Sequence, residues 1–184
     1  MGILSGAARV PRRNMLKKDL LIAPLGEGVL ILIAALAGWA TQQPLVFASL
    51  GPTAYELIET PHRRSAEPYS LVVGHLVGVG AGYLALWVTG AWHVAPVSGT
   101  AFPLDRVWST ALAATVTVLV NLLIRASQPA ATATSLLIAA GLLQARKDAV
   151  VIMGAVLLMA FVGEPLRRLR LRTPGLEQDE SNEK

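Results

Sequence analysis

An all-helical membrane bundle is the fold class this sequence predicts, and three observations predict it. Charged residues make up only 15% of the 184 residues, and apolar ones 53%. A soluble domain carries roughly a quarter charged residues, so this chain has too few to coat a water-facing surface. The apolar residues are gathered into six runs separated by short polar turns. The basic residues cluster at the chain ends, with Arg9, Arg12, Arg13, Lys17 and Lys18 before the first run and Arg167, Arg168, Arg170 and Arg172 after the last. Helices follow from this pattern, because an open sheet would leave backbone groups unsatisfied in lipid.

The runs differ in length. Residues 20–40 contain one charge, Glu27, and have the ~20 residues a helix needs to cross hydrocarbon. The second run, 45–58, is short and carries Ser49, Gly51, Pro52 and Thr53 near its middle. The third, 70–90, is rich in glycine, and Gly78 and Gly82 have the small-xxx-small spacing of closely packed membrane helices. The fourth, 107–124, holds Asn121 near its end; the fifth, 129–143, is short and crowded with Ala, Thr and Ser. The sixth, 149–162, leads to Glu164-Pro165 and the basic tail. The prediction is a polytopic bundle of four full-length helices and two short ones, the short ones being half-helices that either cross or re-enter. Trp39, Trp87, Trp92 and Trp108 fall near run ends, where interfacial aromatics belong. A cleavable signal is not expected, since the first basic stretch leads into a spanning run without a small-residue cleavage site.

The two short runs correspond. Gln43-Pro44 opens one and Gln128-Pro129 the other, each after a full-length helix. A polar basic turn follows each, His62-Arg63-Arg64 and then Arg146-Lys147, before a further helix. This reads as a helix–short helix–helix unit used twice, and paired interrupted segments of that kind mark transporter binding sites. The competing reading is that proline simply starts helices at the first position.

Topology follows from charge. Two basic tails place both termini in the cytoplasm, of a cell's inner membrane, with an even number of crossings. Six crossings put Arg63 and Arg64 inside; four leave them outside with Arg146 and Lys147. Six fits the charge bias better. The domain division expected is a basic cytoplasmic tail (1–19), a transmembrane domain (20–166) and a charged cytoplasmic tail (167–184).

A small anion crossing a bilayer needs donors without a large buried charge. Helix N-termini supply free N–H groups and a positive dipole end, and hydroxyls add adjustable donors. Ser49, Gly51 and Thr53 in one short helix, and Thr132, Thr134 and Ser135 in the other, are where two such starts could face each other. Gly51 would admit close backbone approach. The same residues are also ordinary helix-packing residues. His75, inside a membrane segment, is a candidate proton carrier or a hydrogen-bonded packing residue. Asn121 either bonds across helices or reaches a solute.

Catalysis has no such support. The chain has no cysteine, so thiol chemistry and disulfides are excluded. His62, His75 and His93 lack metal-type spacing, and no phosphate loop, nucleophile elbow or pair of intramembrane carboxylates is present. Neither an enzyme, a metal nor a cofactor is expected, and the basic tails suit anionic headgroups better than nucleic acid.

The residues Phe47-Ala48-Ser49-Leu50-Gly51-Pro52-Thr53-Ala54, then Pro61, Ala66-Glu67-Pro68 and Gly74-His75, resemble the signature of the HPP family of membrane proteins over roughly residues 20–165. The second half departs from it: Ser127-Gln128-Pro129 stands where the family's naming motif reads His-Pro-Pro, and Glu67 replaces a glutamine. The resemblance implies a bundle of at least four spans, and through plastid and cyanobacterial members it implies nitrite transport. The function expected is therefore transport of a small solute, with an inorganic anion such as nitrite as the implied candidate. A non-transporting scaffold or sensor subunit, working through partner proteins, is the reading from another class. The partners expected are the bilayer and the small solute, and such a chain is compatible with a homo-oligomer.

Overall fold

The computed structural model describes residues 19–99 and 101–172, all as helices, turns and loops apart from one isolated bridge. Six α-helices appear in order: α1 (Asp19–Thr41), α2 (Leu50–Glu59), α3 (Pro68–Val88), α4 (Leu104–Leu123), α5 (Pro129–Ala139) and α6 (Arg146–Leu171). Four of them, α1, α3, α4 and α6, are long and apolar enough to cross a membrane. Single-turn 3₁₀ helices sit at Arg64–Ala66 and Ala91–His93. The first basic tail lies outside the described residues. The second begins as helix: α6 runs to Leu171, past the expected boundary at 167. Glu164 pairs with Arg167 at 2.7 Å and with Arg168 at 2.6 Å, spacings that support a further helical turn.

Contacts at the two ends of the bundle establish the path. At one end, here the tail end, a Cβ on Gly26 of α1 would lie 3.2 Å from Ile58 of α2. Arg170 Nε of α6 donates to the Ile58 carbonyl at 3.0 Å, and Arg167 Nη1 to that of Pro61 at 2.8 Å. Gln128 Nε2, before α5, donates to the Ser65 carbonyl at 3.1 Å. At the other, the loop end, Tyr83 Oη of α3 donates to the Ala145 carbonyl at 2.8 Å, and Arg106 Nη1 of α4 to that of Ala139 at 3.0 Å. The chain therefore traverses the bundle six times. Both short helices complete a pass rather than turning back, each with an irregular stretch: 44–49 before α2 and 140–145 after α5.

Those contacts also make the two halves an inverted pair, since α1 starts at the tail end and α4 at the loop end. Packing follows the same exchange. α2 lies on α1 and α6, and α5 on α4 and α3; α1 meets α6 and α3 meets α4, while α3 against α6 and α2 against α5 form the centre. α1 and α4 end alike. Gln42 (φ 54) and Arg125 (φ 57) are the left-handed non-glycine residues among those described. Each closes a Schellman motif, with Gln43 N–H donating to the Gly38 carbonyl and Ala126 N–H to that of Asn121.

The tightest seam is α3 on α5. A Cβ on Gly74 would lie 2.6 Å from Gln128 Cβ, and one on Gly82 2.8 Å from Ile138 Cβ; Gly78 faces the Ala131 backbone. The spacing expected of Gly78 and Gly82 thus serves close helix approach. The main apolar core lies where α1, α2, α3 and α6 meet, around Leu30, Leu50, Leu57, Leu71, Ile152, Val156 and Met159. All four tryptophans lie toward the loop end, with Trp39, Trp87 and Trp108 largely exposed, whereas the exposed tyrosines Tyr55 and Tyr69 lie toward the tail end.

Candidate functional site

Segment two, the second apolar run, reaches the middle of the bundle as irregular chain and turns helical there. Pro52 explains the position. Proline is tolerated in the first turn, where its missing N–H has no partner to lose, and a helix beginning at Leu50 places Pro52 in that turn. Ser49 therefore sits at the N-cap, fully buried, with Thr53 one turn on. Ser49 Oγ lies 2.8 Å from Thr134 Oγ1, and Thr53 Oγ1 donates to the Ser49 carbonyl at 2.9 Å. Ser49 and Thr134 are 85 residues apart. The same offset relates Gln43 to Gln128, Pro44 to Pro129 and the first residues of α1 and α4, so this contact joins corresponding positions of the two halves.

Segment five is different. Pro129 sets the first turn of α5 at once, and Gln128 caps it, its Oε1 accepting from Ala130 N–H at 3.2 Å. Thr134 and Ser135 thus lie in mid-helix, and Ser135 Oγ donates to the Thr132 carbonyl at 2.9 Å. Two helix starts facing each other, as expected from sequence, do not occur: the start of α2 meets the middle of α5, because the first proline of segment five begins its helix and the second proline of segment two begins the other. A Cβ on Gly51 would meet nothing within 4 Å, so the space beside its backbone is open.

The candidate residues fall into two groups. Ser49, Thr53, Thr134 and Ser135 form a buried hydroxyl cluster at the midpoint. Asn121 and Thr132 lie toward the tail end and, with Val118, Leu122, Ser127, Gln128 and Pro129, line a cleft of ≈ 250 Å³. Asn121 is buried there with no partner for Oδ1. His75 is fully buried on α3; its Nδ1–H donates to the Leu71 carbonyl at 2.8 Å, and Nε2 has no partner.

Three polar side chains hold places that the sequence reading did not assign. Arg106, 0% exposed, is held by acceptors alone: the Ala95 carbonyl at 3.2 Å, that of Ala139 at 3.0 Å, Gln144 Oε1 at 2.9 Å, and the Val94 carbonyl. A cation at the last carbonyls of α5 complements that helix's negative end and ties it to the loop after α3. In the sequence Arg106 stands beside Asp105 just before the fourth run, where it reads as an ordinary flanking charge. Glu56 lies in α2 close to Gln128, Ser65 and Arg63, and its Oε2 is buried without a hydrogen-bond partner. Gln128 itself links two elements, bonding the Ser65 carbonyl as well as capping α5. Nothing in local sequence revealed that bridge, because its partners are 63 residues away. Among the described residues no group of three or more His, Cys, Asp or Glu could hold a metal ion.

No curated protein and no solved structure matches the chain. Residues 12–169 match the family model described as HPP, transmembrane region. With its long apolar helices and a match over most of its length, the chain is an integral membrane protein that belongs to the HPP transmembrane-region family.

Proposed function

We propose that the protein transports a small solute across the inner membrane, with the tail end facing the cytoplasm. One observation carries the reading: the Ser49–Thr134 hydroxyl contact joins corresponding positions of two inverted halves, in the middle of the bundle. Inverted repeats whose interrupted segments meet at the midplane allow one half to rock against the other around a central site. Hydroxyls that satisfy each other when the halves are closed become free donors and acceptors when they part. The midpoint cluster carries no carboxylate, which suits a small anion, and nitrite is the first to test. The tail end holds Arg63, Arg64, Arg125 and the Arg167, Arg168, Arg170 and Arg172 that close α6 and follow it, against Arg106, Arg146 and Lys147 at the loop end, which supports a cytoplasmic tail end.

Uptake of nitrite and other small anions into proteoliposomes tests the proposal. Ser49→Ala and Thr134→Val each remove one hydroxyl, worth about 0.5–1.5 kcal/mol net, and should weaken apparent affinity several-fold at equal protein abundance. Wild-type uptake by the double variant would remove the midpoint from the solute path. A second reading, a non-transporting scaffold acting through partner proteins, draws on the packed midpoint, where Ser49, Thr53, Thr134 and Ser135 are each 0% exposed and internally bonded. Absence of any uptake by the wild-type protein would favour it.

A further inference from the structure

We infer that Glu56 binds a proton and thereby gates the tail-end side of the seam between the two halves. The inference rests on the proposed transport cycle, in which the halves rock, and names a control on it. Ser49, Thr53 and Glu56 follow at i, i+4 and i+7, so they share one face of α2 and its cap. That face meets the second half at two levels. At the midpoint Ser49 touches Thr134, and toward the tail end Glu56 lies close to Gln128, the cap of α5. Gln128 also donates to the Ser65 carbonyl at 3.1 Å, and Gly74 of α3 leaves room for its Cβ. Contacts from three parts of the first half thus converge on Gln128, with a carboxyl among them. Gly141 stands 85 residues on from Glu56, so the matching place in the other half has no carboxyl.

The carboxyl is incompletely satisfied where it stands. Glu56 Oε2 is buried and has no hydrogen-bond partner. An ionised oxygen removed from water without a donor is costly, and a proton removes that charge. Parting of the halves at this end would draw Gln128 away and admit water to Oε2. Closure therefore favours the neutral acid and opening the carboxylate. The groups around it leave this role to Glu56. Arg63, the charged group close to it, is exposed on the tail-end turn. α5 and the turn present Gln128 and Ser65, both neutral. On α6, Arg167 donates to Glu164 and to the Pro61 carbonyl, and Arg170 to that of Ile58. On α3, His75 bonds its own helix through Nδ1. Among the described residues Glu56 belongs to no group of three or more metal ligands, so a proton is the cation that fits.

The cysteine-free chain permits a test that reads the seam directly, whether or not solute uptake is found, so this inference and the transport reading can fail separately. Ser70, buried one turn before Gly74 on α3, is the reporter, and the exposed Ser127 is the control. Ser70→Cys and Ser127→Cys are labelled by a water-soluble thiol reagent in lipid nanodiscs across a pH series. Labelling at 70 relative to 127 is expected to rise several-fold as pH increases. With Glu56→Gln added it should stay low and flat, while Glu56→Asp keeps the dependence. A flat profile without the added change, or an unaltered one with Glu56→Gln, would overturn the inference. Labelling that ignores pH and falls with added sodium would overturn it in favour of a metal cation. Infrared difference spectra between acid and alkaline pH give an independent check on the otherwise unaltered protein. A protonated-carboxyl band missing from Glu56→Gln is expected, and identical spectra would count against the proton site.

Discussion

The two short segments begin with the same dipeptide and end up with opposite halves helical. Segment two is irregular from Pro44 to Ser49 and helical from Leu50 to Glu59; segment five is helical from Pro129 to Ala139 and irregular from 140 to 145. One residue accounts for much of the difference. A helix begun at Pro44 would carry Pro52 in its interior, where the ring clashes with the Ala48 carbonyl and a hydrogen bond is lost, at about 3 kcal/mol. Leu137 holds the corresponding place in segment five and imposes no such limit. Its helix stops instead at Gly141, which takes φ 86 against the Arg106 guanidinium. An internal repeat can therefore keep its packing plan while proline placement moves the helical portion along it.

The largest effect should come from importing that difference. Leu137→Pro puts a proline inside α5 and should destabilise the protein by about 3 kcal/mol or more, read by unfolding in SDS titration. The reverse change, Pro52→Leu, removes the bar to a helix from Pro44, so amide protection at residues 46–49 should rise in hydrogen exchange. Unchanged exchange there would mean that packing, not Pro52, holds the stretch open. A smaller contrast compares the two seams that correspond in the halves. Gly78→Ala drives a methyl into the Ala131 backbone, which cannot yield, and overpacking of this kind costs about 1–3 kcal/mol. Gly163→Ala in α6 meets the flexible tip of Leu57 instead and should cost clearly less. Equal losses would show that the α3–α5 seam is no tighter than its counterpart. The smallest effect concerns the helix ends. Arg125→Gly and Gln42→Gly relieve a left-handed backbone at equivalent Schellman positions, each expected to stabilise by up to about 1 kcal/mol. Destabilisation by either would show that its side chain contributes more than the strain removes, and Gln42 is the better candidate, since its Nε2 donates to the Trp39 carbonyl at 2.6 Å.

The ends of the bundle also differ. The loop end carries the tryptophans and Arg106, buried among oxygen acceptors; the tail end likewise buries Arg170 against the Ile58 carbonyl, but there Glu164 also pairs with the part-buried Arg167 and the exposed Arg168. A cation inside protein needs acceptors around it because water is absent. At the surface the same residue type needs little, and such pairs contribute correspondingly little.

Composition and run length alone determined the class of fold, the four full-length helices and the two short ones, because a bilayer admits few backbone solutions and demands long apolar runs. Gln43-Pro44 and Gln128-Pro129 were enough to suggest the repeat. Only the tertiary structure decided how the short segments behave. That both complete a pass follows from Ile58 reaching Gly26 and Ala139 reaching Arg106, contacts between residues distant in the chain. The hydroxyls of Ser49 and Thr134 were legible as candidates, but their contact was not, since it joins residues 85 apart. Gln128 and Arg106 take their roles from carbonyls on other elements. Local pattern records what a residue can donate or accept; which partner it meets is decided when the helices pack.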